Sequence, residues 1–277
     1  MNYTANDVKT LRDNTGAGLL DCKKALNDTN GDLAAAEKLL KEKGLAAMAK
    51  RTDRAAGEGR IVIKQDGNRI AIVEVLCETD FVSNNADFIA VAEKAAEVTL
   101  EKKASGILDE HKALIETILV KFRENMSVRR AEYVEVPAGS VASTYVHHDN
   151  KIGSLVVIKG SEADSVKEFA RDCCMHLAAF TPAYIKADEV PESYINEQKE
   201  IFKAQMDQDE KMAAKPQNVK DGILQGKINK HLAEICFVDQ MFVKDDKKTV
   251  KAKLDEVGKA AGATLEFGEI NLFVLGK

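Results

Sequence analysis

Cysteine and histidine are the residues of this sequence whose types and spacing come nearest to covalent chemistry. Cys173, Cys174 and His176 fall close together on a stretch patterned as a helix. A thiolate beside an imidazole would be a nucleophile with its base, and the signature would be alkylation that abolishes activity without unfolding. Adjacent residues on a helix point to different faces, however. His176, three residues after Cys173, falls near the inner face, which fits a satisfied interior histidine better than a general base. The five cysteines, Cys22, Cys77, Cys173, Cys174 and Cys236, are scattered and include no CxxC pair, so the convergent ligands of a structural zinc site are missing. His147 and His148 sit in an expected turn without a third ligand nearby in sequence. TGAGLLDCKK (15–24) has two glycines and two lysines but neither the GK[ST] ending nor the preceding strand of a phosphate-binding loop. Glu74 and Glu78 flank a sheet edge, and strand spacing alone does not make them an acid–base pair. HExxH and GxSxG are absent. The expectation is no catalytic residue, no metal, no cofactor and no direct nucleotide binding: not an enzyme.

Composition narrows the classes further. The chain has 277 residues, 45% of them hydrophobic, with 5% aromatics and no Trp. That allows real cores in one large or two to three small domains. A formal net charge of -5 argues against a general nucleic-acid binder. The odd, scattered cysteines read as free thiols in a reducing compartment. No apolar run reaches the ~18 residues of a membrane span, and MNYTANDVKTLRD lacks a charged-then-apolar signal pattern. The expected location is the cytoplasm, with no membrane partner.

The elements that must position any site follow from punctuation and periodicity. Residues 1–54 read as a three-helix module with its linker: Thr4 caps the first helix, TGAG breaks it, Asp32 caps the third, and Gly44 is expected to end it. RIVIKQDGNRIAIVEVL (60–76) is two apolar runs split by a hairpin signal, and a helix from about Asn85 to Glu101 follows. TYVHHDNKIGSLVVI (144–158) repeats the scheme, followed by a helix from about Ala163 to Phe180 with Val166, Phe169, Cys173 and Leu177 inward. Strand–turn–strand–helix thus occurs twice, about 80 residues apart, which implies two related antiparallel-sheet-plus-helix subdomains. The fold class is α+β. The second subdomain, 141–277, follows a first of 55–140. It carries an inserted helical hairpin at about 187–228, whose apolar stripe is too thin for a core helix, and a C-terminal module ending in a strand-like ATLEFGEINLFVL.

With catalysis unsupported, CETDFVSNN (77–85) becomes the feature to explain, because a phenylalanine at a strand end, before a helix start, is either buried or held out for a partner. Here the chain resembles the bacterial elongation factor Ts family over essentially its full length. The resemblance is carried in order by TGAGLLDCKKAL, CETDFVSNN, MHLAAFTP (175–182) and KPQNVKDGILQGKINKHLAEICFVDQMFVKDDKKTV (215–250). It implies a guanine nucleotide exchange factor for elongation factor Tu, with a ubiquitin-associated-like N-terminal module and a coiled-coil hairpin. By the same resemblance Thr79, Asp80, Phe81 and Val82 are partner-binding residues that lie against the GTPase near its magnesium and phosphate site. The family resemblance leaves monomer, homodimer and two-plus-two complex open. The alternative from another class is a translation adaptor contacting RNA through AKRTDR (49–54), a short basic cluster flanked by acids.

Overall fold

The computed structural model describes residues 2–51, 53–213 and 215–277, so Met1, Thr52 of the AKRTDR cluster and Ala214 of the expected hairpin lie outside it. The chain divides into two compact units. The first comprises residues 1–137, 146–153 and 273–277, and the second 138–145 and 154–272.

The first unit opens with α1 (Ala5–Thr15), α2 (Leu19–Asp28) and α3 (Leu33–Ala49). Thr4 Oγ1 accepts the Asp7 N–H at 3.2 Å, Asp7 accepts the Thr4 N–H at 2.6 Å, and Asp32 accepts the Ala35 N–H at 3.0 Å, so both helix starts are capped by side chains. Val8, Leu11, Cys22, Ala25, Leu26, Ala36 and Leu40 form the small core between them. One expectation is corrected. Gly44 does not end α3, which runs five residues further. A Cβ at Gly44 would stand 3.0 Å from Val120 Cγ2. The glycine therefore serves close helix packing rather than termination.

β1 (Glu58–Asp66), β2 (Arg69–Cys77), the one-turn α4 (Asp80–Ser83), α5 (Ala86–Lys102), α6 (Asp109–Phe122) and β3 (Ser127–Glu135) follow. The antiparallel sheet has the order β1-β2-β3. The hairpin closes through Gly67 and Asn68 with Asp66 opposite Arg69, and Gly67 takes φ +61°, a left-handed conformation that glycine adopts most readily. Val73, Val75 and Cys77 of β2 pack against Phe88, Val91, Ala92 and Ala95 of α5 and Ile115 and Leu119 of α6. A fully buried carboxylate, Glu74, lies on the same strand. It accepts from Arg129 Nη1 at 3.0 Å, Arg130 Nε at 2.5 Å and the Gly276 N–H at 2.8 Å. Arg130 also donates to the Val274 carbonyl at 3.1 Å and stacks 4.2 Å over the Phe273 ring.

The second unit contains most of β4 (Ser140–Val146) and β5 (Ile152–Lys159), then α7 (Asp164–Phe180), α8 (Glu192–Gln208), α9 (Glu210–Ala213), α10 (Gln217–Ile235), β6 (Met241–Phe242), β7 (Asp245–Thr249), α11 (Val250–Ala261) and β8 (Glu266–Val274). The sheet order β4-β5-β8 mirrors the first unit: a hairpin, then a helix, then a later strand laid beside the second hairpin strand. Val156, Ile158, Val166, Phe169, Cys173, Leu177, Phe237 and Leu254 fill its core. α8 and α10 form the helical hairpin, with Met206 and Ile228 buried and Tyr194 Oη hydrogen-bonded to His231 Nε2 at 2.9 Å. A parallel bridge between Tyr184 and Cys236 pins its two roots together.

Each unit buries one neutral imidazole. In the first, His111 Nδ1 accepts the Leu108 N–H at 3.2 Å, which leaves Nε2–H to donate to the Ala95 carbonyl at 3.1 Å. In the second, His176 Nδ1 accepts the Val243 N–H at 3.2 Å and Nε2–H donates to Gln240 Oε1 at 2.9 Å. Burial lowers both pKa values below the ordinary 6.5. The unfolded chain therefore takes up these protons first, so stability is full above pH 6.5 and falls as the pH drops below it. The limit is about 1.4 kcal/mol per pH unit for each histidine. Urea unfolding at pH 7.5 and 5.5 should show this loss, and His176→Gln should flatten the slope for the second unit. An unchanged slope in that variant would contradict it.

Candidate partner-binding tip

β2 delivers the chain to the tip. Its last residue, Cys77, is buried, and the Sγ–H donates to the Thr79 carbonyl at 3.2 Å. Burial pushes this thiol up to about 12, so it remains protonated. Thr79 then caps α4 by accepting the Val82 N–H at 3.4 Å. Behind it, the Asp80 carbonyl accepts from Ser83 Oγ at 3.0 Å and Asn84 Nδ2 at 2.9 Å, and Asn85 caps α5. The tip is thus a one-turn helix joined directly to a strand on one side and to a long helix on the other.

The four residues separate cleanly. Val82 is 7% exposed and packs into the core with Cys77 and Phe88. Thr79 is half-buried and spent on capping. Asp80 is exposed, and Phe81 is 84% exposed. A strand end was the expected mount for Phe81, but α4 carries it instead, because Thr79 as N-cap starts a helical turn before the strand direction can continue. A bare phenylalanine on a hydrogen-bonded turn loses little freedom on binding and offers a large apolar area.

The sequence gives no hint of the group that grips this turn from outside. Glu124, in the segment between α6 and β3, accepts the Glu78 N–H at 3.0 Å and the Thr79 N–H at 3.1 Å on Oε2, and the Thr79 hydroxyl at 2.6 Å on Oε1. Glu78 Oε1 accepts the Asn125 N–H at 2.7 Å in return. Arg54 reaches Glu78 at 3.5 Å, and Arg51 donates to the Arg123 carbonyl. Two of the AKRTDR cations are therefore engaged within the protein. Elsewhere in the first unit Leu20, at the start of α2, is 80% exposed. In the second unit Phe180, Met241 and Val243 are exposed.

The cysteine–histidine alternative meets a different environment. Burial holds the Cys173 thiol well above its ordinary value and Cys174 at about 12, and both nitrogens of His176 are already engaged. Neither thiol has the exposed, electropositive setting that a thiolate nucleophile needs. Among the described residues no group of three or more His, Cys, Asp or Glu is arranged to hold a metal ion, and no helix is long and apolar enough to cross a membrane.

Comparison with known proteins gives a consistent result. A family model described as elongation factor TS matches residues 78–276. A Treponema denticola protein named elongation factor Ts is 49% identical over 281 residues, spanning 100% of this chain and 99% of that protein. Its namesake from Treponema pallidum strain Nichols is 44% identical over 292 residues, again spanning 100% and 99%. One from Clostridium botulinum strain Alaska E43 is 38% identical over 284 residues, spanning 98% of this chain and 91% of that protein.

Proposed function

This chain belongs to the elongation factor Ts family, and we propose that it is a guanine nucleotide exchange factor for elongation factor Tu in translation elongation, acting in the cytoplasm by binding rather than by covalent chemistry. The observation that carries this reading is Phe81, held 84% exposed on a turn fixed at both ends. Burying such a ring is worth roughly 1.5–3 kcal/mol. Inserted between elements of the GTPase that hold its magnesium, the ring displaces them. Magnesium demands near-ideal octahedral geometry and tolerates such displacement poorly. The phosphates lose their neutralising cation, and the negative charge of Asp80 beside them adds repulsion. GDP leaves, and GTP can rebind.

No nucleotide need touch the factor. It binds the empty GTPase more tightly than the loaded one, and reciprocity of coupling then requires that it weaken nucleotide affinity by the same ratio. In this reading Asp80 and Phe81 make the contact, while Thr79 and Val82 hold the turn. The module of residues 1–54, with Leu20 exposed, and the subdomain of 55–140 engage the nucleotide-binding domain. The subdomain of 141–277 engages the third domain, with Phe180, Met241 and Val243 among its exposed apolar residues.

Release of a fluorescent GDP analogue from purified elongation factor Tu tests the proposal. A substoichiometric amount of this protein should accelerate release with turnover at physiological magnesium. Unchanged release with the protein folded would overturn the exchange reading.

A further inference from the structure

We propose that Glu124 is a positioning residue for exchange, a part of the exchange site that acts through the tip rather than on the partner. This rests on the reading of Phe81 above. The turn bearing Phe81 has three donors on its incoming side, the N–H groups of Glu78 and Thr79 and the Thr79 hydroxyl, and the one carboxylate of Glu124 takes all three, at 3.0, 3.1 and 2.6 Å. Those N–H groups come just before and at the cap of α4, where a strand has ended and no helical partner exists, so they need an acceptor from elsewhere. A carboxylate binding several backbone donors is the strong form of that interaction.

The segment that carries Glu124 is itself fixed. Arg123, at φ +56°, closes α6 with its N–H on the Leu119 carbonyl at 3.1 Å. Met126 is fully buried in the core of the first unit. The return bond from the Asn125 N–H to Glu78 Oε1, at 2.7 Å, makes the grip reciprocal. Two loops far apart in sequence thus hold one another, and the direction of the Phe81 ring depends on both. Exchange needs a ring presented in one orientation, and a misplacement of about 1 Å is enough to cost on the order of 100-fold in such a step. Glu124 has no role of its own at the GTPase surface in this scheme.

The test uses the full-length protein in the GDP-release assay, with amide hydrogen exchange as a second readout. Glu124→Ala should lower the exchange rate about tenfold or more while elongation factor Tu is unchanged, and should speed exchange of the Glu78 and Thr79 amides by a similar factor. Glu124→Gln should recover most of the rate, because its carbonyl oxygen can take both N–H groups and its amide can donate to Thr79 Oγ1. In a Phe81→Ala background Glu124→Ala should cause no further loss, since both changes act through one element. An impaired Phe81→Ala beside a Glu124→Ala protein at the parent rate would overturn the positioning role. So would additive losses, or a glutamine variant as poor as alanine, which would mean that Glu124 acts through its charge. A Phe81→Ala protein at the parent rate would overturn the tip reading itself and take this proposal with it.

Discussion

Replacing Phe81 by alanine should reduce stimulated GDP release about 10- to 100-fold and leave the unfolding free energy within roughly 0.5 kcal/mol of the parent. The ring is 84% exposed and is absent from the core of its unit, so its removal opens no cavity. The capping bond from the Val82 N–H to Thr79 Oγ1 and the bonds to the Asp80 carbonyl involve neighbouring residues only, so the turn persists without the ring. What is lost is apolar area available to a partner. An anchor ring is typically worth 2 kcal/mol or more at an interface, and 1.4 kcal/mol is a factor of ten. Release measured against factor concentration separates two outcomes. A lower maximum rate means that the ring acts in displacing the magnesium site. A raised half-saturating concentration with the same maximum means that it contributes affinity alone. A variant at the parent rate throughout would remove Phe81 from the mechanism. Leu20→Ala, by contrast, should affect affinity without affecting the maximum rate, since it lies in the N-terminal module and not on the tip.

Glu74→Ala should destabilise the first unit by about 2–4 kcal/mol, measured as a shift in urea midpoint without a change in slope. Glu74 is fully buried on β2 and takes two arginines and the Gly276 N–H. Its removal leaves the Gly276 N–H without its acceptor and two guanidinium groups without their counter-charge. Side-chain exposure of 34% for Arg129 and 30% for Arg130 lets water recover part of the loss, which places the expected cost below that of a fully enclosed pair. The same change loosens residues 273–277, because it removes the Gly276 bond and the carboxylate that orients Arg130, which still donates to the Val274 carbonyl. Deleting residues 275–277 should therefore reproduce part of the cost and should add little once Glu74 is alanine. A midpoint shift below about 0.5 kcal/mol for Glu74→Ala would show that the arginines rehydrate fully and that the cluster contributes specificity rather than stability.

Much of the molecule was legible because its signals are local. Thr4, Asp32 and Asn85 cap helices because a short side-chain oxygen can reach an N–H two or three residues on, whatever the rest of the chain does. QDGN makes a hairpin because Gly67 can take a positive φ between two apolar runs. The duplicated strand–turn–strand–helix pattern announced two similar sheets, and four motif blocks in one order carried the family. Phe81 stood out because a turn otherwise rich in Ser and Asn has no local use for a phenyl ring.

What distant parts of the chain contribute was hidden, and for one reason: those pairings are decided by packing between residues that sequence spacing does not relate. Gly44 looks like a helix end until Val120 of α6 arrives against it. Glu74 and Glu78 look alike as strand carboxylates, yet one is buried against two arginines and the chain's last residues, while the other exchanges hydrogen bonds with a loop 46 residues away. The last strand could have begun a separate module. Instead it lies beside β5 and completes the second sheet, and its final residues join the first unit. The local sequence determined that residues 77–85 would join a strand end to a helix start with an aromatic between them. Only the tertiary structure decided that the ring points outward, because Val82 and Ser83 take the inward positions of the turn and Glu124 satisfies the backbone that would otherwise have to be satisfied elsewhere.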